Sequence, residues 1–201
     1  PDGKNILFVS DREGTTGIYV YSIVSNTLKK IRDTNIPTPW SAQSDWSPDG
    51  KKILYPDVLS GVSNLYLIDI ATRVVTKITD YKDSDDKVCY PSWSPSGRSI
   101  VYSVEGESKP SQLMQMDLEE NSTKEIHSGN VVYGFPRWNS DEKWLVYHGG
   151  GIHILNIENG NQIKVPAPSG FHIWGPTWGS KKDELIFQAA EIGGILKVHN
   201  F

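Results

Sequence analysis

Apolar residues along this chain fall in short runs, each closed by Gly, Pro, Asn or Asp. One group of runs is continuously apolar: Ile53-Leu54-Tyr55, Ile100-Val101-Tyr102, Leu145-Val146-Tyr147 and Leu185-Ile186-Phe187. Such runs predict strands packed on both faces. A second group follows each of these, Leu65-Tyr66-Leu67-Ile68, Leu113-Met114-Gln115-Met116, Ile152-His153-Ile154-Leu155 and Ile195-Leu196-Lys197-Val198, with a further copy, Ile18-Tyr19-Val20-Tyr21, nearer the start of the chain. A third is more polar and rich in lysine: Leu28-Lys29-Lys30-Ile31, Thr76-Lys77-Ile78, Thr123-Lys124-Glu125-Ile126 and Ile163-Lys164-Val165. Lysine on an edge strand discourages pairing with other molecules, so these runs predict outer strands.

A Trp precedes each continuous run, at 46, 93, 138 and 178, with spacings of 47, 45 and 40 residues. Between Trp and run lies a turn, Ser47-Pro48-Asp49-Gly50 in its cleanest form and Ser94-Pro95-Ser96-Gly97 in the next. Pro at the second position pre-sets φ, and Gly at the fourth tolerates the exit geometry of a type I turn. The copies at Trp138 and Trp178 have lost Pro-Asp-Gly, and Pro1-Asp2-Gly3 opens the chain inside a first copy. A repeat of this length, built of strands, predicts an all-β propeller. The expected architecture is about five four-stranded blades in one domain over 1–201. The units run approximately 1–37, 38–84, 85–129, 130–169 and 170–201, the first and last incomplete.

Trp-Ser-Pro-Asp-Gly-Lys, an apolar strand, Ser10-Asp11-Arg12 and Ile18-Tyr19-Val20 together resemble the TolB-like, WD-type β-propeller repeat. The resemblance implies a periplasmic or otherwise extracytoplasmic location. It also implies a non-catalytic binding or scaffolding role, although the same repeat serves as the gating domain of prolyl oligopeptidase-like peptidases and occurs in some polysaccharide lyases. Strand edges left open at both ends suggest an excised piece of a larger propeller.

Composition narrows the partners. A net charge of −4 with mixed signs argues against a nucleic-acid surface. No apolar stretch reaches membrane-spanning length. The single cysteine, Cys89, excludes an internal disulfide. A protein or peptide segment, or a glycan, is the expected partner. No cofactor or metal is expected, and no catalytic residue is assigned.

The segments leading into the first strands carry Trp40, Tyr90, Tyr133, Phe135, His172 and Trp174. A regular repeat would gather these on one rim of the channel, where rings bind apolar faces and leave polar tips wet. The acidic stretch from Asp80 to Asp86 lacks calcium-loop spacing and reads as a solvated loop. His148-Gly149-Gly150-Gly151 reads as a hairpin turn, and Asp69, Asp117 and Asn156 as recurring turn formers. Asp11-Arg12 reads as a pair that ties blades together.

Overall fold

The computed structural model describes residues 1–36, 43–181, 184–191 and 196–197. Among them every regular element is a strand, and the strands form five antiparallel sheets, each a simple meander. The first holds β1 (Asn5–Ser10), β2 (Gly17–Ser22) and β3 (Thr27–Asp33). The second holds β4 (Asp45–Trp46), β5 (Lys52–Leu59), β6 (Val62–Asp69) and β7 (Val75–Lys77). The third holds β8 (Lys87–Trp93), β9 (Ser99–Glu105), β10 (Ser111–Asp117) and β11 (Ser122–Gly129). The fourth holds β12 (Gly134–Trp138), β13 (Trp144–His148), β14 (Ile152–Asn156) and β15 (Gln162–Val165). The fifth holds β16 (Phe171–Trp178), β17 (Leu185–Glu191) and β18 (Leu196–Lys197).

The turns follow from their residues. Gly50 and Gly97 donate N–H to the carbonyls of Ser47 and Ser94, both at 2.9 Å, and sit at φ of 74° and 76°. The Ser47 and Ser94 hydroxyls accept the N–H groups of Lys52 and Ser99 at 2.9 and 3.1 Å, which closes the loop onto the next strand. In the worn fourth copy, Asn139 does the same for Trp144 at 3.0 Å. Glu142 there takes the left-handed place at φ 59°, and its carboxylate reaches across to the Ser96 amide and hydroxyl of the third blade. At the hairpins between third and fourth strands, at the same end of each blade, the Asp69, Asp117 and Asn156 side chains each accept two backbone N–H groups just downstream, as recurring turn formers should.

Successive blades pack through their first strands: β4 meets β8, β8 meets β12, and β12 meets β16. The axis therefore runs along these strands, with β7, β11 and β15 outermost. Alternation along the second strands supplies both inter-blade cores. Ile53 and Tyr55 face back to Ile18, while Leu54 faces forward to Val88, Ile100 and Tyr102. Val101 faces forward to Leu145 and Tyr147, and Val146 forward to Ile173 and Ala189. Each such aliphatic side chain is worth about 1.5–3 kcal/mol of burial. The same register on the outermost blades leaves Ile6 49% and Ile186 44% exposed.

Hydrogen bonds also run from blade to blade. Trp93 N–H donates to Asp45 Oδ2 at 2.8 Å, and the Ser63 hydroxyl donates to the Val88 carbonyl at 3.1 Å. Trp178 Nε1 donates to the Arg137 carbonyl at 3.0 Å. The Ser103 hydroxyl donates to the Tyr133 carbonyl.

Candidate functional site

Three first strands share a local motif: Tyr90-Pro91-Ser92-Trp93, Phe135-Pro136-Arg137-Trp138 and Gly175-Pro176-Thr177-Trp178. Pro has no N–H for the ladder, so pairing breaks there. The register shifts between Cys89 and Ser92, between Gly134 and Arg137, and between Trp174 and Thr177. At each of these bulges the residue before the Pro sits in the left-handed region, at φ 52° for Tyr90, 56° for Phe135 and 59° for Gly175. Glycine accepts this freely, whereas an aromatic residue there costs about 1–2 kcal/mol. Strain of this kind clusters at binding sites.

The two strained residues meet. The Tyr90 and Phe135 rings lie 5.4 Å apart at an interplanar angle of 37°, each half-buried, on neighbouring first strands. Burial pushes the Tyr90 phenol up to about 12, with Cys89 and Glu105 adding to the rise. The Cys89 thiol donates to Glu105 Oε1 at 3.3 Å. Burial holds Glu105 above the usual carboxylate range and the Cys89 thiol well above the usual thiol range.

The other aromatic expectations fall at different registers. Trp174 occupies the place of Cys89 and Gly134, one residue before the bulge; it is half-buried and pairs with Gln188. His172 is exposed two residues further back, opposite Ala190. Tyr133 matches Val88 and Ile173 and is 0% exposed in the core between the third and fourth blades. It packs edge-on against Tyr147, with ring centroids 5.3 Å apart, so its side chain offers no face to solvent. Trp40 lies outside the described residues.

Below the bulges, a cavity of about 350 Å³ opens beside the Trp layer, lined by Asp45, Ser92, Arg137 and the rings of Trp46, Trp93 and Trp138. Asp45 is spent on two amides, those of Trp46 at 3.0 Å and Trp93 at 2.8 Å. Arg137 donates to its neighbour's carbonyl, Pro136 O, at 3.0 Å.

The remaining polar segments serve the fold. Asp80 pairs with Lys77 and Lys82 at 2.7 and 2.6 Å, Asp86 pairs with Lys109, and Asp85 accepts the Glu107 amide at 3.0 Å. His153 Nε2 meets the Gly149 carbonyl at 3.1 Å, its Nδ1 meets Gln162 at 2.6 Å, and its ring stacks on Tyr147. Among the described residues no three His, Cys, Asp or Glu side chains converge as metal ligands. Arg12 departs from the expected inter-blade tie. Its guanidinium lies over the Phe8 and Tyr19 rings of its own blade, at 5.0 and 5.2 Å, while the Asp11 carbonyl closes the turn with Gly14.

Sequence reasoning missed Glu105 and Arg137. The Xaa-Pro-Xaa-Trp spacing was the available signal, since it aligns the first strands residue by residue.

Solved structures share this architecture. TolB from Acinetobacter baumannii superposes with a TM-score of 0.76 at 20% identity, over 98% of this chain and 53% of that one. An oligogalacturonate lyase from Vibrio parahaemolyticus gives 0.70 at 16% identity, over 96% and 57%. A prolyl endopeptidase gives 0.62 at 13% identity, over 98% and 33%. The chain thus spans about half the length of the TolB structure it matches. At these identities the likeness is one of fold. Among curated proteins none matches in sequence. The profile of the TolB beta propeller domain matches residues 38–198, and the chain therefore belongs to that family.

Proposed function

We propose that this propeller is a non-catalytic binding module that recognises a protein segment at the channel mouth of its third to fifth blades. Tyr90 and Phe135 supply the central contact, and Trp174 and His172 extend it on the fifth blade. The observation that carries this reading is the pair of aromatic residues at positions where the fifth blade has glycine. A ring held in the left-handed region costs stability, and packing does not require it, because Gly175 builds the same bulge. Two adjacent half-buried rings offer apolar faces to an aliphatic side chain, a proline or a sugar. An extracytoplasmic setting fits the family and belongs to the same proposal.

The test is selection of binders from a random peptide display library, followed by affinity measurement on Tyr90→Ala and Phe135→Ala variants. Selected peptides should lose at least about tenfold in affinity on either variant, as expected for buried aromatic anchors. Peptides that bind both variants as well as the parent would refute the site. Lyase chemistry would need catalytic groups at this mouth, and a gating role would need a hydrolase domain that supplies its own.

A further inference from the structure

Glu105 stands apart from the other carboxylates described above. Asp80 and Asp86 have lysine partners and Asp45 has two amides, whereas the hydrogen bond Glu105 receives comes from a thiol, Cys89 Sγ at 3.3 Å. Lys87 sits directly across the strand pair from Glu105, but its ammonium goes to Glu107 at 3.1 Å. A thiol is a weak donor and leaves most of a carboxylate's capacity unused. Cys89 precedes Tyr90 at the bulge, and Glu105 adds to the rise of the Tyr90 phenol, so the carboxylate lies near the Tyr90 side of the ring pair.

We infer that the Tyr90–Phe135 step and Glu105 together form a receptor for a basic side chain, so that the bound protein segment presents an arginine or lysine at this point. The inference rests on the binding role proposed above and names the chemistry of its ligand. Aromatic faces attract a cation through their quadrupoles, most strongly when water is partly excluded. A carboxylate at the same place supplies charge-assisted hydrogen bonds, bidentate ones for arginine. Half-burial of the rings and the raised proton affinity of Glu105 both mark a partly desolvated site, where a cation gains most. The net charge of −4 favours approach of a basic segment.

The test uses two acetylated, amidated peptides, Gly-Gly-Arg-Gly-Gly and the same peptide with citrulline for arginine. Citrulline keeps the shape of arginine without its charge. Binding is followed by amide chemical shifts of the chain on titration. The arginine peptide should bind with shifts centred on Tyr90, Glu105 and Phe135, roughly fivefold or more tightly than its citrulline counterpart. Glu105→Gln should abolish that preference, and Tyr90→Ala should weaken both peptides. Thermal unfolding of each variant checks that it is folded, and Glu105→Asp serves as the second probe if the Gln variant is not. Equal binding of the two peptides, no binding of either, or a preference that survives Glu105→Gln would overturn the inference. Library peptides that depend on Tyr90 yet carry no basic residue would leave the binding role standing and sink this inference alone.

Discussion

The left-handed bulges allow a measurement of stored backbone strain. At position 90 the parent has φ 52° with a tyrosine. Tyr90→Ala and Tyr90→Gly remove the same ring, so the lost contact with Phe135 is common to both. They differ in one respect: alanine keeps a Cβ in the left-handed region and glycine has none. The Gly variant should therefore be more stable than the Ala variant by about 1 kcal/mol, the left-handed cost less the extra unfolded-state entropy of glycine. Gly175 gives the converse test. A Cβ built there would meet Gln188 no closer than 3.7 Å, an ordinary contact, so Gly175→Ala introduces no clash. Its cost should again be about 1 kcal/mol, from the backbone alone. Equilibrium urea unfolding with a shared slope reads these differences directly. If Ala matches or exceeds Gly at position 90, the strain argument fails, and with it the reason for regarding the ring pair as functional. Peptide affinity should fall for both variants, since regained stability does not restore the ring.

Three further outcomes follow from particular contacts. Burial holds His148 and His153 below the ordinary histidine value of 6.5. The unfolded chain therefore takes up protons first on acidification, and the stability these residues carry is full above pH 6.5 and drains as pH falls below it. The loss between pH 7.5 and 5.5 should be smaller in His153→Gln, and an unchanged slope would remove His153 from the account. Among the described residues, the buried hydroxyls of Tyr133 and Tyr147 have no hydrogen-bond partner. Tyr133→Phe should then be neutral or stabilising by up to about 1 kcal/mol, while Ser103→Ala, which loses the bond to the Tyr133 carbonyl, should cost about 1 kcal/mol in the same unfolding assay. Glu142→Gly relieves a left-handed residue but gives up the reach to Ser96, so it should stay within about 1 kcal/mol of the parent. Glu142→Ala keeps the strain and loses the reach, so it should be the less stable of the two; the reverse order would discount one of these effects.

Much of the fold was legible because a propeller repeats its instructions. The Trp spacing, the Ser-Pro-Asp-Gly turns and the recurring Asp69, Asp117 and Asn156 each appear several times, and repetition separates signal from chance. The site was less legible. Tyr133, Phe135, His172 and Trp174 were grouped by their nearness to the first strands, without regard to register. Residues two apart on a regular strand share a face, but the bulge between Gly134 and Arg137, with Phe135 at φ 56°, breaks that alternation. That is why Tyr133 is inside and Phe135 is not. Aligning on the Pro before each Trp would have separated them. Positive φ at Tyr90 and Phe135 was not legible, because neither residue prefers it and a following proline favours extended backbone; the bulge that holds them there is a property of the paired strands. Arg12 was misread for a related reason. A charged pair in sequence suggested a tie between blades, while the Phe8 and Tyr19 faces lay within reach of the guanidinium.

The blade-to-blade hydrogen bonds have a consequence for how disturbance spreads. Asp45, Ser63 and Ser103 each reach one blade ahead, and Glu142 reaches one blade back. None of these ties skips a neighbour, so the arc behaves as a one-dimensional lattice with nearest-neighbour coupling. A lesion in the second blade is felt in the third and is already faint in the fourth. The aromatic step spans one such junction, between the third and fourth blades. Its geometry therefore answers to the Ser96–Glu142 and Ser103–Tyr133 ties across the same junction, and changes in blades that do not adjoin that junction should leave it undisturbed.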